Sequence, residues 1–279
     1  MIQAFSRALQ DDRIGLSPPW DCLANLVRPL PGNLVLILGA PGVGKSMFSL
    51  LWALEQGRST KDGPWTRLIS LDTNAAEQAA RVISWTEGIP ASAVLEHPDA
   101  WARYFDDKEY NLLVQTCILR PAQLAEVMEV DRMYLGSYPD FVVVDDLSKM
   151  QMTDRSYTDY NTAFLDLHRV ARSCGNVVAA LHHIHRGDNS AGSRAIRLSD
   201  GVYGGEYEAE IVLGLWRPMP NTLRVGVLKN RMGAADPTGQ VYVDLHVDYN
   251  MTQIRELIPG DRFASSIALM VKEFDAKAI

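Results

Sequence analysis

Short apolar runs alternate with longer segments of helical periodicity from about residue 33 onward. The run LVLILGA is apolar throughout and ends in glycine and alanine, which is typical of a strand buried on both faces of a sheet. Four further runs predict strands: RLISLD, NLLVQTC, FVVVDD and NVVAALHHI. The segments between them predict helices: SMFSLLWALEQG, AAEQAARVISWTEG, PAQLAEVMEVDRMYLG and DYNTAFLDLHRVARSCG. This order predicts an α/β fold, a mostly parallel central sheet with helices on both faces.

The pattern changes near the C-terminal end of the sheet. Three runs, EIVLGLWRP, TLRVGVLKNR and VYVDLHVDY, follow one another with short turns, which predicts hairpins and a C-terminal antiparallel extension. We expect one large domain over residues 15–258, an N-terminal helix or arm at 1–14 and a C-terminal helical tail at 259–279.

Composition narrows the class of protein. An apolar fraction of 47% in 279 residues is enough for a substantial core. The net charge of −7 excludes a globally basic nucleic-acid binder but allows a local basic surface. Cys22, Cys117 and Cys174 have no paired spacing, which argues against a disulfide framework. No signal peptide or apolar run of membrane length is present, so we expect a cytoplasmic protein.

The segment GAPGVGKS matches the P-loop pattern G-x-x-x-x-G-K-[ST] in full and lies between a predicted strand and a predicted helix. Its backbone N–H groups are expected to surround the phosphates of ATP, Lys45 to reach the β- and γ-phosphates, and Ser46 to bind Mg²⁺. The predicted nucleotide-binding residues are Gly39, Ala40, Pro41, Gly42, Val43, Gly44, Lys45, Ser46 and Met47.

Two other strands end in carboxylates at the edge where ligands of such sheets bind. Asp145, at the end of FVVVDD, is the predicted second Mg²⁺ ligand, with Asp146 as the alternative. Asp72, at the end of RLISLD, is predicted to orient the attacking water, with Glu77 as the fallback acid. A competing interpretation makes Asp72 the N-cap of the helix that begins near residue 75.

The segment LHHIHRGD raises the question of a metal site. His183 and His185 share a strand face, but zinc would need further ligands, and nearby only Asp188 offers one. A strand-end residue that senses the γ-phosphate is the preferred interpretation of His183.

Six segments in order carry a family resemblance: GAPGVGKS, ISLDTNAAEQAARVIS, FVVVDDLSKM, LHHIHR, EAEIVLGLWR and VLKNRMGAADPTGQVYVDLHVDYNMTQI. Over roughly residues 15–253 the chain resembles the RecA-like motor domain of DnaB-type replicative helicases, including stand-alone phage versions. The resemblance implies a RecA-like P-loop NTPase that forms a hexameric ring, hydrolyses ATP and translocates on single-stranded DNA, with replication proteins as possible partners.

The resemblance also suggests a binding partner for Lys229 and Arg231, two cations at the end of an apolar strand. They match the family's basic pair that reaches into the ATP site of the neighbouring subunit, and residues two apart on a strand share a face. An ion pair within the same chain, with Asp236 or Asp244, is the alternative.

DNA contacts in this family come from loops that face the ring channel. Two segments fit, and a mobile solvated loop is the alternative for each: SKMQMTDRSY and RGDNSAGSRAIRLSDGVYGGE. The predicted DNA-binding residues are Lys149, Arg155, Arg186, Arg194 and Arg197.

Three departures from the family qualify these expectations. Asp72 stands where the family has glutamate, so hydrolysis is expected to be slower, and His183 stands where the family has glutamine. Only about thirty residues precede the P-loop strand, so coupling through the family's primase-binding domain is not implied. Two other functions stay open: a RecA-core ATPase in recombination, annealing or helicase loading that does not unwind, and a slow nucleotide-dependent switch.

Overall fold

The computed structural model describes residues 16–57, 64–106, 110–184, 192–201 and 203–257. The predicted N-terminal arm, the predicted C-terminal tail and Arg186 lie outside these ranges. The described strands are β1 Leu34–Gly39, β2 Thr66–Ser70, β3 Leu112–Gln115, β4 Phe141–Asp145, β5 Val177–His183, β6 Ile211–Met219, β7 Thr222–Asn230, β8 Tyr242–Asp248 and β9 Gln253–Glu256.

The described helices match the predicted ones and add several short ones. They are α1 Asp21–Ala24, α2 Lys45–Gly57, α3 Ala75–Glu87, α4 Ala91–Glu96, α5 Pro98–Trp101, α6 Leu124–Leu135, α7 Tyr157–Cys174 and α8 Gly205–Glu208. Within the described ranges, no helix is both long enough and apolar enough to cross a membrane.

All nine strands form one sheet in the order β3-β2-β4-β5-β1-β6-β7-β8-β9. Neighbouring strands from β3 to β6 are parallel, and those from β6 to β9 are antiparallel. The predicted fold class is therefore confirmed. Two details were not predicted: β6 pairs in parallel with β1 before it starts the antiparallel part, and β9 adds a ninth strand.

The core consists of two layers, one on each face of the sheet. In β1, Val35 and Ile37 point into the layer formed with α1 and α2, whereas Leu34, Leu36 and Leu38 point into the layer formed with α6 and α7. All six residues of β1 are buried, which explains why this segment is apolar without alternation. Because β1 is packed between both layers, it anchors the P-loop, which follows the strand directly.

One charged bridge is buried among these elements. The guanidinium of Arg67, on β2, donates through Nε and Nη2 to both carboxylate oxygens of Asp131 on α6, and through Nη1 to Gln115 Oε1 at 2.8 Å. Both charged residues are at most 9% exposed. The bridge ties the outer strands of the parallel sheet to the helix that covers them.

We expect Asp131→Ala to lower the free energy of unfolding by about 3–5 kcal/mol, because it leaves the Arg67 guanidinium buried without its carboxylate. Urea unfolding midpoints measure the effect. The control is Glu129→Ala on the same helix, whose ion pair with Arg132 is exposed on both sides and should matter little. Equal midpoints for Asp131→Ala and wild type would show that the bridge does not stabilise the fold.

Candidate functional site

The P-loop curls between β1 and the first turn of α2. Gly42 has a φ of +72° and Gly44 a φ of +111°, a left-handed conformation that side chains with a Cβ rarely adopt. A Cβ at Gly42 would meet no atom within 4 Å, so the loop leaves open space on that side. A Cβ at Gly44 would lie 3.2 Å from the ring of Tyr249. The P-loop is thus open to a ligand on the side of Gly42 and covered by the Tyr249 ring on the side of Gly44.

Lys45 carries the positive charge of the site in a nearly dry position. It is 6% exposed, and its Nζ donates to the carbonyls of Gly39 at 2.9 Å and Ala40 at 3.2 Å. Burial lowers the pKa of the Lys45 ammonium, while the carboxylates of Asp146, Asp145 and Asp72 oppose this shift. An anionic ligand would supply the charge compensation that two carbonyls give only in part.

Ser46 and Asp145 come together beside Lys45. The Ser46 hydroxyl donates to Asp145 Oδ1 at 3.0 Å. Burial raises the pKa of Asp145 to about 6, although the hydrogen bond from Ser46 and the charge of Lys45 partly offset this. A hydroxyl and a carboxylate are oxygen ligands of the kind that Mg²⁺ binds, usually together with phosphates and water. In the described ranges no group of three or more His, Cys, Asp or Glu side chains could hold a metal ion.

His183 connects the second aspartate to Lys45. Its Nε2 lies 2.9 Å from Asp146 Oδ2, and its Nδ1 lies 3.2 Å from Lys45 Nζ. Since Lys45 can only donate, Nδ1 accepts and Nε2–H donates to Asp146. Burial acts to raise the pKa of Asp146, but the hydrogen bonds from His183 and the Ser148 N–H lower it overall. His185 and Asp188, the other members of the considered zinc site, lie outside the described residues.

Asp72 does not cap helix α3. The N-cap is Asn74, whose Oδ1 accepts from the Glu77 N–H at 2.9 Å, so the capping interpretation of Asp72 was wrong. Asp72 instead forms an ion pair of 2.9 Å with Lys149, and both side chains are about half exposed. Lys149, predicted as a DNA contact, therefore lies at the mouth of the same pocket.

These residues line a pocket of about 480 Å³. Sequence reasoning assigned no role to several others that line it: Arg81, Ala91, Tyr249 and Thr252. Tyr249 lies 206 positions after Val43 yet donates to its carbonyl at 2.8 Å, and the Arg217 guanidinium lies 5.2 Å from the Tyr249 ring centroid. The turn between β8 and β9 places Tyr249 over the P-loop, and only the family resemblance of that segment could have pointed to it.

Arg81 belongs to the segment ISLDTNAAEQAARVIS, one of the six that carry the family resemblance. Its Nη1 is buried and has no hydrogen-bond partner among the described residues. Its charge lowers the pKa of the neighbouring Asp145 to a small extent. A buried guanidinium N–H without an acceptor, in a pocket that also holds Lys45, fits a ligand rich in phosphate oxygens.

Arg155, Arg194 and Arg197, the other predicted DNA contacts that the structure describes, are not among the residues that line this pocket. Arg155 has a φ of +52°, and its N–H donates to Asp159. Arg194 pairs with Asp200 at 3.1 Å, and the Arg197 N–H donates to the same carboxylate at 2.9 Å. Gly192 belongs to the segment that carries Arg194 and Arg197, and a Cβ added there would lie 3.6 Å from Ala40 of the P-loop. It therefore adjoins the nucleotide site.

Lys229 and Arg231 lie at the opposite edge of the sheet from the P-loop of the same chain. Asn230 pairs with Ile211, which pairs with Val35 at the amino end of β1, whereas the P-loop follows Gly39 at the carboxyl end. Four residues of strand separate the two ends by about 13 Å. Neither cation can therefore reach the phosphates bound by its own P-loop.

The alternative of an ion pair within the chain is present for Arg231, but with Glu210, and the two named acids, Asp236 and Asp244, were wrong. Asp244 holds Arg224 through two hydrogen bonds of 2.6 and 2.8 Å, and Asp236 accepts from Thr238. Lys229 Nζ instead donates to Glu206 O at 2.6 Å, and Arg231 lies 3.6 Å from Glu210. Both reach the Tyr207 carbonyl, at 3.4 and 3.5 Å, so they point the same way although Arg231 lies beyond the end of β7.

Comparisons with known proteins agree with this geometry. Residues 5–189 match the AAA domain family. The Gene 65 protein of Mycobacterium phage L5 is 31% identical, over 86% of this chain and 92% of the phage protein. A structure solved for an ATPase domain superimposes with a TM-score of 0.71 at 19% identity, over 92% of this chain and 97% of that domain.

A DnaB-like replicative helicase, solved to show its interactions with primase, also superimposes with a TM-score of 0.71 at 18% identity. The match covers 92% of this chain and 66% of the helicase. At these identities the likeness concerns the fold, and at that level the resemblance drawn from the six segments is confirmed. The chain belongs to the AAA domain family of P-loop ATPases, together with the mycobacteriophage Gene 65 protein, and has the RecA-like ATPase fold of DnaB-like helicases.

Proposed function

We propose that the protein is an ATP-driven DNA helicase that forms a ring and translocates on single-stranded DNA. The observation that supports the proposal is the separation of the P-loop from Lys229 and Arg231 within one chain. The P-loop lies at the carboxyl edge of the sheet, and Lys229 and Arg231 lie at the amino edge, where they cannot act on the phosphates of the same chain. Head-to-tail contact between copies would bring one edge to the other and, when repeated, close into a ring.

Within one site, each group has a distinct role. Lys45 and the P-loop N–H groups bind the phosphates, and Ser46 and Asp145 would hold Mg²⁺, which offsets charge on the phosphate oxygens. Asp72 would orient the attacking water once it leaves Lys149. His183, between Lys45 and Asp146, would register the presence of the γ-phosphate. Lys229 and Arg231 of the next subunit would stabilise charge in the transition state.

Single-stranded DNA is the proposed track, and the proposed contacts are Lys149, Arg155, Arg186, Arg194 and Arg197. The contact of Gly192 with the P-loop supports coupling between DNA and nucleotide binding. The interactions with primase recorded for the DnaB-like neighbour make replication proteins possible partners.

One observation favours a second candidate, a slow nucleotide-dependent switch. Asp72 is one methylene shorter than glutamate and is paired with Lys149. ATPase assays with and without single-stranded DNA, followed by unwinding of a forked duplex, separate the two. A helicase requires DNA-stimulated hydrolysis and unwinding, whereas a switch shows neither.

We expect Lys45→Ala and Arg231→Ala each to be nearly inactive as an ATPase while staying folded, since a finger of this kind is typically worth about 10³–10⁵ in rate. Mixed under conditions that allow subunit exchange, the two variants should regain part of the activity. Some interfaces then combine an intact P-loop with an intact finger.

The control is Arg169→Ala, which removes an exposed arginine from α7 and should hydrolyse ATP like wild type. Absence of recovery despite demonstrated mixed assemblies would contradict action between subunits. Normal hydrolysis by Arg231→Ala alone would end the finger hypothesis.

In protein free of nucleotide and metal, we expect Asp145→Asn to unfold at higher urea concentration than wild type at pH 8. The pKa of Asp145 is raised from 3.8 to about 6 by folding, so the ionised carboxylate destabilises the fold above pH 6, and this cost vanishes as the pH falls below 3.8. The difference corresponds to up to about 3 kcal/mol. The gain should shrink between pH 8 and pH 5.

Asp99→Asn, which removes a carboxylate at an exposed position, provides the matched control. A gain for Asp145→Asn that is the same at both pH values would rule out a destabilising charge at this position. Asp145→Asn should also lose Mg²⁺-dependent turnover, because it removes the carboxylate that is the proposed Mg²⁺ ligand. A carboxylate kept where it destabilises the fold is typical of a functional site.

Replacing Arg194 and Arg197 together with alanine should weaken binding of single-stranded DNA and flatten its salt dependence. Removal of one contact to a phosphate lowers the slope of log K against log salt by about 0.7. Fluorescence anisotropy with a labelled oligonucleotide at several salt concentrations measures this. The double variant Arg132→Ala/Arg169→Ala removes the same charge from helices α6 and α7 and should keep the wild-type slope. An unchanged slope for the first pair would exclude this loop from the DNA path.

A further inference from the structure

Glu210 lies where the amino end of β1 meets the segment that carries Arg231. It is 8% exposed and directly precedes β6. Its N–H donates to Leu34 O at 3.0 Å, and its Oε2 accepts from the Leu34 N–H at 3.0 Å. Its carbonyl accepts from the Arg231 N–H at 3.1 Å. The residue is therefore fixed to the first residue of β1 on one side and to the Arg231 backbone on the other.

The second carboxylate oxygen of Glu210 faces a cluster of cationic and titratable side chains. Oε1 lies 3.2 Å from His168 Nε2, 3.6 Å from Arg231 Nη1 and 3.9 Å from Arg172 Nη2. Arg231 also donates through Nη2 to Tyr207 O at 3.5 Å. Glu210 and Tyr207 thus restrain the Arg231 guanidinium at two of its nitrogens, while the side chain stays 49% exposed.

We propose that Glu210 is a positioning residue that holds Arg231 ready to enter the ATP site of a neighbouring subunit. The inference rests on the proposed function. Glu210 cannot touch the nucleotide or the metal of its own chain, because it lies at the amino end of the strands, opposite the P-loop. Its effect on hydrolysis passes through Arg231.

A free arginine side chain samples many rotamers and loses this freedom when it binds. A buried carboxylate beside the Arg231 guanidinium restrains this side chain before the interface forms, so less conformational entropy is lost on binding. At 3.6 Å the ion pair is longer than a hydrogen bond, so the remaining N–H groups stay available for phosphate oxygens. Displacement of such a group by about 1 Å is enough to cost up to about 100-fold in rate.

The two hydrogen bonds with the Leu34 backbone anchor Glu210 to strand β1. β1 is buried along its whole length, and the same strand leads into the P-loop at its other end. Arg231 is therefore positioned relative to the strand that also carries the subunit's own nucleotide site. Arg172 and His168, both on α7, share the carboxylate of Glu210 with Arg231.

A double-mutant cycle on ATP hydrolysis tests the proposal. Glu210→Gln keeps the side-chain length and an oxygen for the Leu34 N–H, so the fold is expected to persist. We expect it to lower kcat about tenfold with little change in KM, because Arg231 acts on charge that develops in the transition state. In the Arg231→Ala background, the same substitution should change kcat by less than about twofold.

Arg172→Ala provides the matched control. It removes a cation from the same carboxylate, is 67% exposed and does not contact Arg231 in the described structure. Its kcat should stay near that of wild type. Native mass measurements on every variant confirm that assembly is unchanged, so that a loss of rate is not a loss of interfaces.

Equal losses on Glu210→Gln in both backgrounds, or no loss in either, would overturn the proposal and leave Glu210 a structural residue. Normal hydrolysis by Arg231→Ala would instead refute the proposed finger itself, and the positioning role with it. If Glu210→Gln fails to fold, Glu210→Asp retains the charge but withdraws it by one methylene. The expected result is then a smaller fall in kcat that again disappears in the Arg231→Ala background, and a persistent fall would contradict the inference.

Discussion

A buried ammonium at the end of a fully buried strand is the constraint on which this site depends. Lys45 is nearly inaccessible to water, so its charge must be balanced by groups that reach the same point. The carbonyls of Gly39 and Ala40, and the charges of Asp145 and Asp146, supply that balance. Parallel strands make this possible because their carboxyl ends meet at one edge, so β1, β4 and β5 deliver the P-loop, the two aspartates and His183 together.

At the amino end of β1 a buried charge is again balanced by groups from other elements, but here the buried charge is negative. There the buried group is a carboxylate, Glu210, and the cations around it come from α7 and from the end of β7. The antiparallel strand β7 is what returns Lys229 and Arg231 to this edge. One strand therefore separates the end that carries the P-loop from the end that presents Lys229 and Arg231, and these two groups of one chain cannot meet.

The sequence correctly predicted the features that depend on a few neighbouring residues. The parallel strands, the long helices, the P-loop and the strand-end positions of Asp145 and Asp72 all follow from periodicity and motif context within a few residues. The contacts that were missed join distant segments: Tyr249 with Val43, Asp72 with Lys149, and Arg231 with Glu210. Short helices such as α4 and α5 and the four-residue strand β9 were missed because a few residues carry too little periodicity.

The pair of Asp72 with Lys149 is compatible with catalysis by Asp72. Both side chains are about half exposed, and an ion pair in such a position contributes at most about 1 kcal/mol. Separation of the two charges is therefore a small part of any hydrolytic barrier. The shorter reach of aspartate is the larger obstacle, because water must lie within hydrogen-bond distance of both the carboxylate and the γ-phosphate. In the proposed catalytic role of Asp72, its distance from the γ-phosphate would therefore affect the rate of hydrolysis more than the loss of its ion pair with Lys149.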